Sequence, residues 1–214
     1  MLAHERPGVE THFEDHGGEL GIVPHLRIAD VAYDELVDEL IIKVHESGQI
    51  PNQIIAIMFG GATPARAIAE LFNIEMLAYY ALKRYFPSDP SDQRKMKPDE
   101  NVILARDLLK AHHDFGADVL AVDDLTDEGV TFKRFEDWLT NRSRFGQDVR
   151  SLRTACLWKK VHSEYPPTFW VDEVVPIQLP DSTVMKMPWI DQPMERKYSM
   201  CTIEDVLART RAVR

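Results

Sequence analysis

The stretch Val119–Phe132, "VLAVDDLTDEGVTF", sets four carboxylates, a glycine and two threonines directly behind an apolar run. Asp123 and Asp124 are adjacent, so on an extended chain their side chains diverge. Such a pair suits neighbouring hydroxyls of a sugar, or a hydrated metal ion. The turn Asp127-Glu128-Gly129-Val130-Thr131 leads straight into a helical pattern. The unpaired N–H groups and dipole of a helix start favour a phosphate, and Thr131 adds a hydroxyl donor. Glu128 opposes that use: a carboxylate about 4–6 Å from a phosphate costs on the order of 1–3 kcal/mol at intermediate dielectric unless it points outward.

Buried strands alternating with helices are needed to present such a loop. "QIIAIM" (53–58) and "ADVLAVDD" (117–124) are short continuous apolar runs, the pattern of strands buried on both faces. "EMLAYYAL" (75–82) and "LRTACLWK" (152–159) predict further strands. Leu36, Val37, Leu40, Ile41 and Val44 recur at helical spacing, and Gly48 follows as a stop. "FGGATPARAIAELF" turns on Gly60 and Gly61, with a helix from about Pro64. "VTFKRFEDWLTNR" (130–142) predicts the helix after the acidic loop. "KRYFPSDPSDQRKMKPDEN" reads as a long exposed loop, holding Lys83, Arg84, Arg94, Lys95 and Lys97; loops of that length are usually lids, binding loops or disordered segments. "NVILARDLLKAHHDFG" mixes a short strand with a helix, and "TIEDVLARTRAV" resumes helical periodicity. From about Tyr165 proline and aromatics dominate, which predicts an irregular lobe capping the sheet. The alternation predicts an α/β parallel sheet with its ligand at the carboxyl ends of the strands.

With 214 residues the chain suits a single α/β domain with an appendage, here a polar N-terminal extension over 1–25 and one domain over 26–214. A formal net charge of −10 argues against a broad nucleic-acid groove. Cys156 and Cys201 lack metal-ligand spacing, so a reducing cytoplasm is the simplest reading. No apolar run approaches the roughly 20 residues that span a bilayer, and the first residues lack the apolar core of a signal peptide.

With these motifs in place the sequence resembles the type I phosphoribosyltransferases, and within them the 6-oxopurine (hypoxanthine, guanine and xanthine) enzymes. "VLAVDDLTDEGVTF" is similar to their signature of strand, acidic pair, turn, glycine and threonine throughout except at Glu128. "IIAIMFGGATPARAIAE" is similar to their pyrophosphate loop and its helix, "ACLWKK" to the strand presenting a purine-binding lysine, and "MPWID" to the end of a small hood lobe. Together these cover about residues 28–195 in the family's order. The resemblance implies the type I phosphoribosyltransferase fold, with a hood built partly from 165–195. It also implies Mg²⁺-dependent transfer of a 5-phosphoribosyl group from phosphoribosyl pyrophosphate to a purine-like base, releasing pyrophosphate, in a cytoplasmic homodimer without nucleic-acid or membrane partners.

Residue by residue, it implies that Asp123 and Asp124 hold the ribose hydroxyls with Mg²⁺ nearby. Asp127 faces N7 of the purine as the proton-exchanging group, and Glu128, Gly129, Val130 and Thr131 form the 5′-phosphate loop. Gly60 and Gly61, after Phe59, offer N–H groups to pyrophosphate. Lys159 donates to the 6-oxo group, with Lys160 beside it as the alternative, and Asp191 touches a second magnesium.

Three positions depart from the pattern. Glu128 replaces a small residue, Phe59 stands where a basic residue is usual, and Val184 takes the place of the aromatic that stacks on the base. Losing one stacking face costs about 1–3 kcal/mol per base, which Trp170 or Trp189 can offset. These departures keep open a transferase with a changed base or sugar donor, and a catalytically weak nucleotide-binding or regulatory protein. A Walker B strand also ends in paired acids, but no "GxxxxGK" lies upstream. Receiver domains pair acids on their first strand, whereas this pair lies past the midpoint. His112 and His113 close a helix and complement its dipole, and His162 lacks a partner at ligand spacing. Trp158, Trp170 and Trp189 read first as packing residues.

Overall fold

The computed structural model describes residues 1–89, 92–104, 116–141, 148–180 and 182–194, with backbone alone over 81–104. The strands are β1 (Val9–Asp15), β2 (Ile22–Ile28), β3 (Gln53–Met58), β4 (Leu77–Asp89), β5 (Asp92–Leu104), β6 (Asp118–Val122), β7 (Leu125–Thr126), β8 (Ser151–Lys160), β9 (Phe169–Val174), β10 (Ile177–Gln178), β11 (Met185–Lys186) and β12 (Trp189–Asp191). The helices are α1 (Asp30–Glu46), α2 (Ala62–Leu71) and α3 (Val130–Asn141). The chain divides into two compact units, Met1–Leu36 with the chain from Asp172, and Val37–Val171.

The second unit carries the main sheet, in the order β5-β4-β3-β6-β8-β7, with β9 also paired to β8. β3 pairs in parallel with β4 and β6, and β8 in parallel with β6 and β7. This is the α/β parallel sheet that the apolar runs predict. Ile54, Ile55, Ala56, Val119, Leu120, Ala121 and Val122 are all buried, because helices cover a parallel sheet on both faces. One layer packs Ile55, Ile57, Val119, Ala121 and Cys156 against Phe132, Phe135 and Leu139 of α3. Tyr80 meets Phe135 edge-on at 5.1 Å between ring centroids, a favoured aromatic geometry.

The prolines and charges of 83–100 predict a loop, and the backbone corrects this. Leu82 to Asp89 pairs antiparallel with Asp92 to Leu104, with register shifts between Lys83 and Tyr85 and between Pro87 and Asp89. Residues 105–115, which include His112 and His113, lie outside the described residues, as do the helix expected over 202–213 and Cys201.

In the first unit, residues expected to form a polar extension instead make β1, which pairs with β2 antiparallel from Val9↔Ile28 to Asp15↔Ile22. β12 joins the other edge of β2 in parallel. Arg6 anchors the segment: its buried guanidinium donates to Asp172 Oδ1 at 2.9 Å and to Oδ2 at 2.5 Å. The region from Tyr165, expected to be irregular, supplies β9 to β12. Among the described residues no helix is long and apolar enough to cross a membrane.

The buried aromatic layer under α3 should dominate the stability of the second unit. Phe135→Ala should cost about 3–5 kcal/mol by the usual large-to-small penalty, whereas Leu71→Ala, at a position 65% exposed, should stay within about 0.5 kcal/mol. Urea unfolding of both variants measures the difference; equal losses would refute this packing.

Candidate active site

β6 ends at Val122, and the acidic pair begins at the next residue. Asp123 donates its N–H to the Ala155 carbonyl at 3.0 Å, and its Oδ1 accepts the Asp124 N–H at 2.9 Å. The Asp124 carbonyl accepts from both Leu157 and Trp158, at 2.9 and 3.0 Å. The loop is thus held on β8 by its backbone, which leaves the carboxylates as the variable chemistry. Burial, and then the charge of Asp124, push the Asp123 carboxyl well above its ordinary range.

The Gly60–Gly61 loop after β3 lies directly against this pair. A Cβ on Gly60 would sit 2.1 Å from the Asp124 carboxyl carbon, and one on Gly61 would sit 2.1 Å from the Val122 carbonyl oxygen. At Gly61, where the obstacles are backbone atoms, only glycine permits that approach. The Gly61 N–H donates to the Ile57 carbonyl at 3.0 Å, so it closes the turn into α2 in this structure. Phe59 is 86% exposed, and the Met58–Phe59 peptide is cis.

Beyond β7, Asp127 makes two side-chain contacts: its Oδ2 is 3.1 Å from Lys160 Nζ and its Oδ1 is 2.8 Å from His162 Nε2. Burial pushes the Asp127 carboxyl up, but the Lys160 charge and the hydrogen bonds from Lys160 and His162 outweigh it and hold the group below its usual range. Glu128 is exposed at the outside of the turn. Gly129 adopts φ +84°, and a Cβ there would lie 2.6 Å from the Tyr165 carbonyl oxygen. Val130 starts α3 and Thr131 lies in its first turn, where N–H groups lack carbonyl partners within the helix.

Lys159 and Lys160 part company at the end of β8. Lys160 is the buried one and reaches Asp127, while Lys159 places its Nζ 4.6 Å from the centroid of the Trp170 ring. Trp170 is therefore engaged by a cation, which bears on its expected service as a stacking platform. Sequence reasoning passed over Lys160 as the partner of Asp127, and over His162 and Tyr165. The contacts of His162 and Tyr165 span 35 residues or more of chain (His162–Asp127; Tyr165–Gly129), and no spacing rule signals them.

The second unit thus assembles Gly60, Gly61, Asp123, Asp124, Asp127, Gly129 and Thr131, with Lys159 and Lys160. Val184, Trp189 and Asp191 belong to the first unit. Val184 and Trp189 are exposed, and Asp191 Oδ1 lies 2.9 Å from His25 Nδ1.

The profile of the phosphoribosyl transferase domain family matches residues 31–195. No curated protein sequence matches the chain. A Helicobacter pylori xanthine-guanine-hypoxanthine phosphoribosyltransferase has a similar structure, with a TM-score of 0.55 at 16% identity, over 82% of this chain and 96% of its own. A Pyrococcus horikoshii purine phosphoribosyltransferase gives 0.51 at 20% identity, over 78% and 91%. A hypothetical protein of Neisseria gonorrhoeae, solved with bound ppGpp, gives 0.57 at 20% identity, over 88% and 97%. At these identities the likeness is one of fold.

The buried acid pair yields a pH prediction for the ligand-free, metal-free protein. A carboxyl raised above its unfolded value of 3.8 costs the folded state stability as pH rises through the folded pKa. Asp123→Asn retains the acceptor for the Asp124 N–H and removes the charge. It should therefore be more stable than the parent at neutral pH, with the gain vanishing below about pH 4. Urea unfolding across pH 3.5–8 measures this; a gain independent of pH would contradict it.

Proposed function

The chain belongs to the phosphoribosyl transferase domain family, and from that premise we propose transfer of a 5-phosphoribosyl group from phosphoribosyl pyrophosphate to a purine-like base, with a 6-oxopurine favoured. The observation that carries this reading is the contact of the Gly60–Gly61 loop with the acidic pair, since it draws two end-of-strand loops into one polar cradle. The C1–O bond to pyrophosphate breaks and pyrophosphate leaves with the bonding pair. A ring nitrogen of the base bonds to C1 and the base gives up a proton.

In this reading Asp123 and Asp124 receive the ribose hydroxyls, and the first turn of α3, with Gly129 and Thr131, receives the 5′-phosphate. The exposed position of Glu128 supports that use, because it removes the repulsion that a carboxylate inside the turn would exert. Asp127 stands as the proton acceptor, held ionised by Lys160 and His162. Oxygen donors of a buried acidic pair suit a hard divalent cation. The fit is supported by Asp123, whose burial beside Asp124 leaves a carboxyl that a cation would relieve. Mg²⁺ bound there supplies charge stabilisation for the departing pyrophosphate. Lys159 is assigned to the base, and a homodimer is the expected assembly.

A second reading is favoured by Asp127 itself. A general base works best with a pKa near the operating pH, and this carboxyl is held below its ordinary range by two partners. A nucleotide-binding protein with slow turnover would keep the same cradle. The Neisseria protein of this fold was solved with ppGpp, so ppGpp is the ligand to compare.

Calorimetric titration with phosphoribosyl pyrophosphate, with and without Mg²⁺, tests the cradle: micromolar binding strengthened by Mg²⁺ is expected. No binding at millimolar ligand would overturn the transferase reading. Pyrophosphate release with a panel of bases should then fall about 10²-fold or more in Asp127→Asn, with phosphoribosyl pyrophosphate affinity changed by less than about tenfold. If the parent binds ppGpp more tightly and releases no pyrophosphate with any base, the second reading replaces the first.

A further inference from the structure

A second cluster of ligating side chains lies entirely in the first unit, on one face of the β1-β2-β12 sheet. The register creates it. His12 of β1 stands directly opposite His25 of β2, and β12 sets Trp189 opposite His25 and Asp191 opposite Arg27. Side chains two apart share a face of a strand, so Glu14 joins His12 and Asp191 joins Trp189. His12, Glu14, His25 and Asp191 each offer a ligand atom, all within 4.8 Å of one another.

The pairwise distances have the scale of a coordination shell. His12 Nε2 lies 2.9 Å from Glu14 Oε1 and 3.5 Å from Asp191 Oδ2, and His25 Nε2 lies 3.8 Å from Glu14 Oε2. Ligands about 2.0–2.1 Å from a tetrahedral ion are about 3.3 Å apart. His25 is also oriented as a ligand, because its Nδ1 faces Asp191 Oδ1 at 2.9 Å. A carboxylate on one ring nitrogen fixes the tautomer and leaves the other nitrogen's lone pair for a metal. That other nitrogen, Nε2, meets His16 Nε2 at 2.9 Å with the ring planes 2° apart. Two ring nitrogens face each other there at a distance that one shared proton spans, so His16 is a hydrogen-bond partner of His25 in the metal-free protein.

The surroundings decide which cation. Asp191 lies beside the His12 and His25 imidazoles, and nitrogen donors favour zinc-class metals over Mg²⁺. Arg27 is the competing charge, with Nη2 3.4 Å from His12 Nε2, on an exposed side chain.

We infer that His12, Glu14 and His25, with His16 alongside and Asp191 orienting His25, form a binding site for one divalent transition-metal ion of the zinc class. It is distinct from any magnesium at the acidic pair. Its bonds would tie β1 and β2 together at their side-chain face.

The test uses the full chain, stripped with a chelator and titrated calorimetrically with Zn²⁺ alone, without phosphoribosyl pyrophosphate or base. Its outcome is therefore independent of the transferase reading. One equivalent of Zn²⁺ should bind, with Kd raised at least tenfold in His12→Ala and in Glu14→Gln and unchanged in His45→Ala, an exposed histidine of α1. The Glu14 side chain is 46% exposed and that of His12 25%, so both variants should fold, as a thermal melt without metal will verify. Arg27→Ala should tighten binding, and Co²⁺ should give the ligand-field bands of a tetrahedral site. Absence of saturable one-equivalent binding would overturn the inference. So would His12→Ala and Glu14→Gln variants that bind like the parent, or displacement of Zn²⁺ by excess Mg²⁺.

Discussion

The arrangement of the second unit depends on a steric constraint: the backbone after β3 must touch the backbone after β6. β3 and β6 are neighbours in the sheet, with Ala56 opposite Val122, so their carboxyl ends emerge side by side. A side chain at Gly61 would collide there. At Gly61 the obstacles are the Val122 and Ile57 carbonyls and the Asp123 Cα, all backbone atoms that cannot rotate away. Two glycines bring the loops to contact distance and let α2 start at Ala62 without a gap. The price is backbone freedom in the unfolded chain, which the buried apolar runs on either side offset.

That contact has an electrostatic consequence. Pressing a glycine loop onto Asp124 removes water from a site that already holds two adjacent carboxyls. Asp123 responds by resisting ionisation, while Asp127, four residues on, is driven the opposite way by Lys160 and His162. Carboxyls of one loop are thereby pushed to opposite ends of their range. Paired titratable groups driven apart by their settings mark sites of acid–base and cation chemistry more often than packing sites. Glu128 is exposed on that turn, and the positive φ of Gly129 allows the turn while Tyr165 packs against it.

How much of this the sequence reveals depends on what each signal measures. The strands at 53–58 and 118–122 are legible because strands covered on both faces need unbroken apolar runs. The same fact hides the choice between Lys159 and Lys160. On a half-exposed strand, alternation would assign one lysine inward and the other outward, but β8 is buried on both faces and parity carries no information. The β4–β5 hairpin escapes because its prolines and charges are those of a loop, and proline is rare within ladders. β1 escapes for a different reason. Val9, Thr11 and Phe13 do alternate with Glu10, His12 and Glu14, a strand signal, but neighbouring glycines and the density of charge suggest an extension. Acidic pair, glycine turn and helix start are contiguous and therefore readable; His162 reaches Asp127 only through the fold.

β1 also shows how register adds chemistry that composition does not announce. A shift of one residue between β1 and β2 would turn His12, Glu14 and His25 to different faces, and the cluster would dissolve into scattered polar residues. Register is fixed where one face is buried, and here Leu26 and Ile28 are fully buried, which leaves β2 no freedom to slip. The same burial that makes β2 a stable strand therefore holds His25 against His12. β12 needs only three residues of parallel pairing to deliver Asp191. Two histidines and two carboxylates from three separate strands converge because the apolar residues between them have no other place to go.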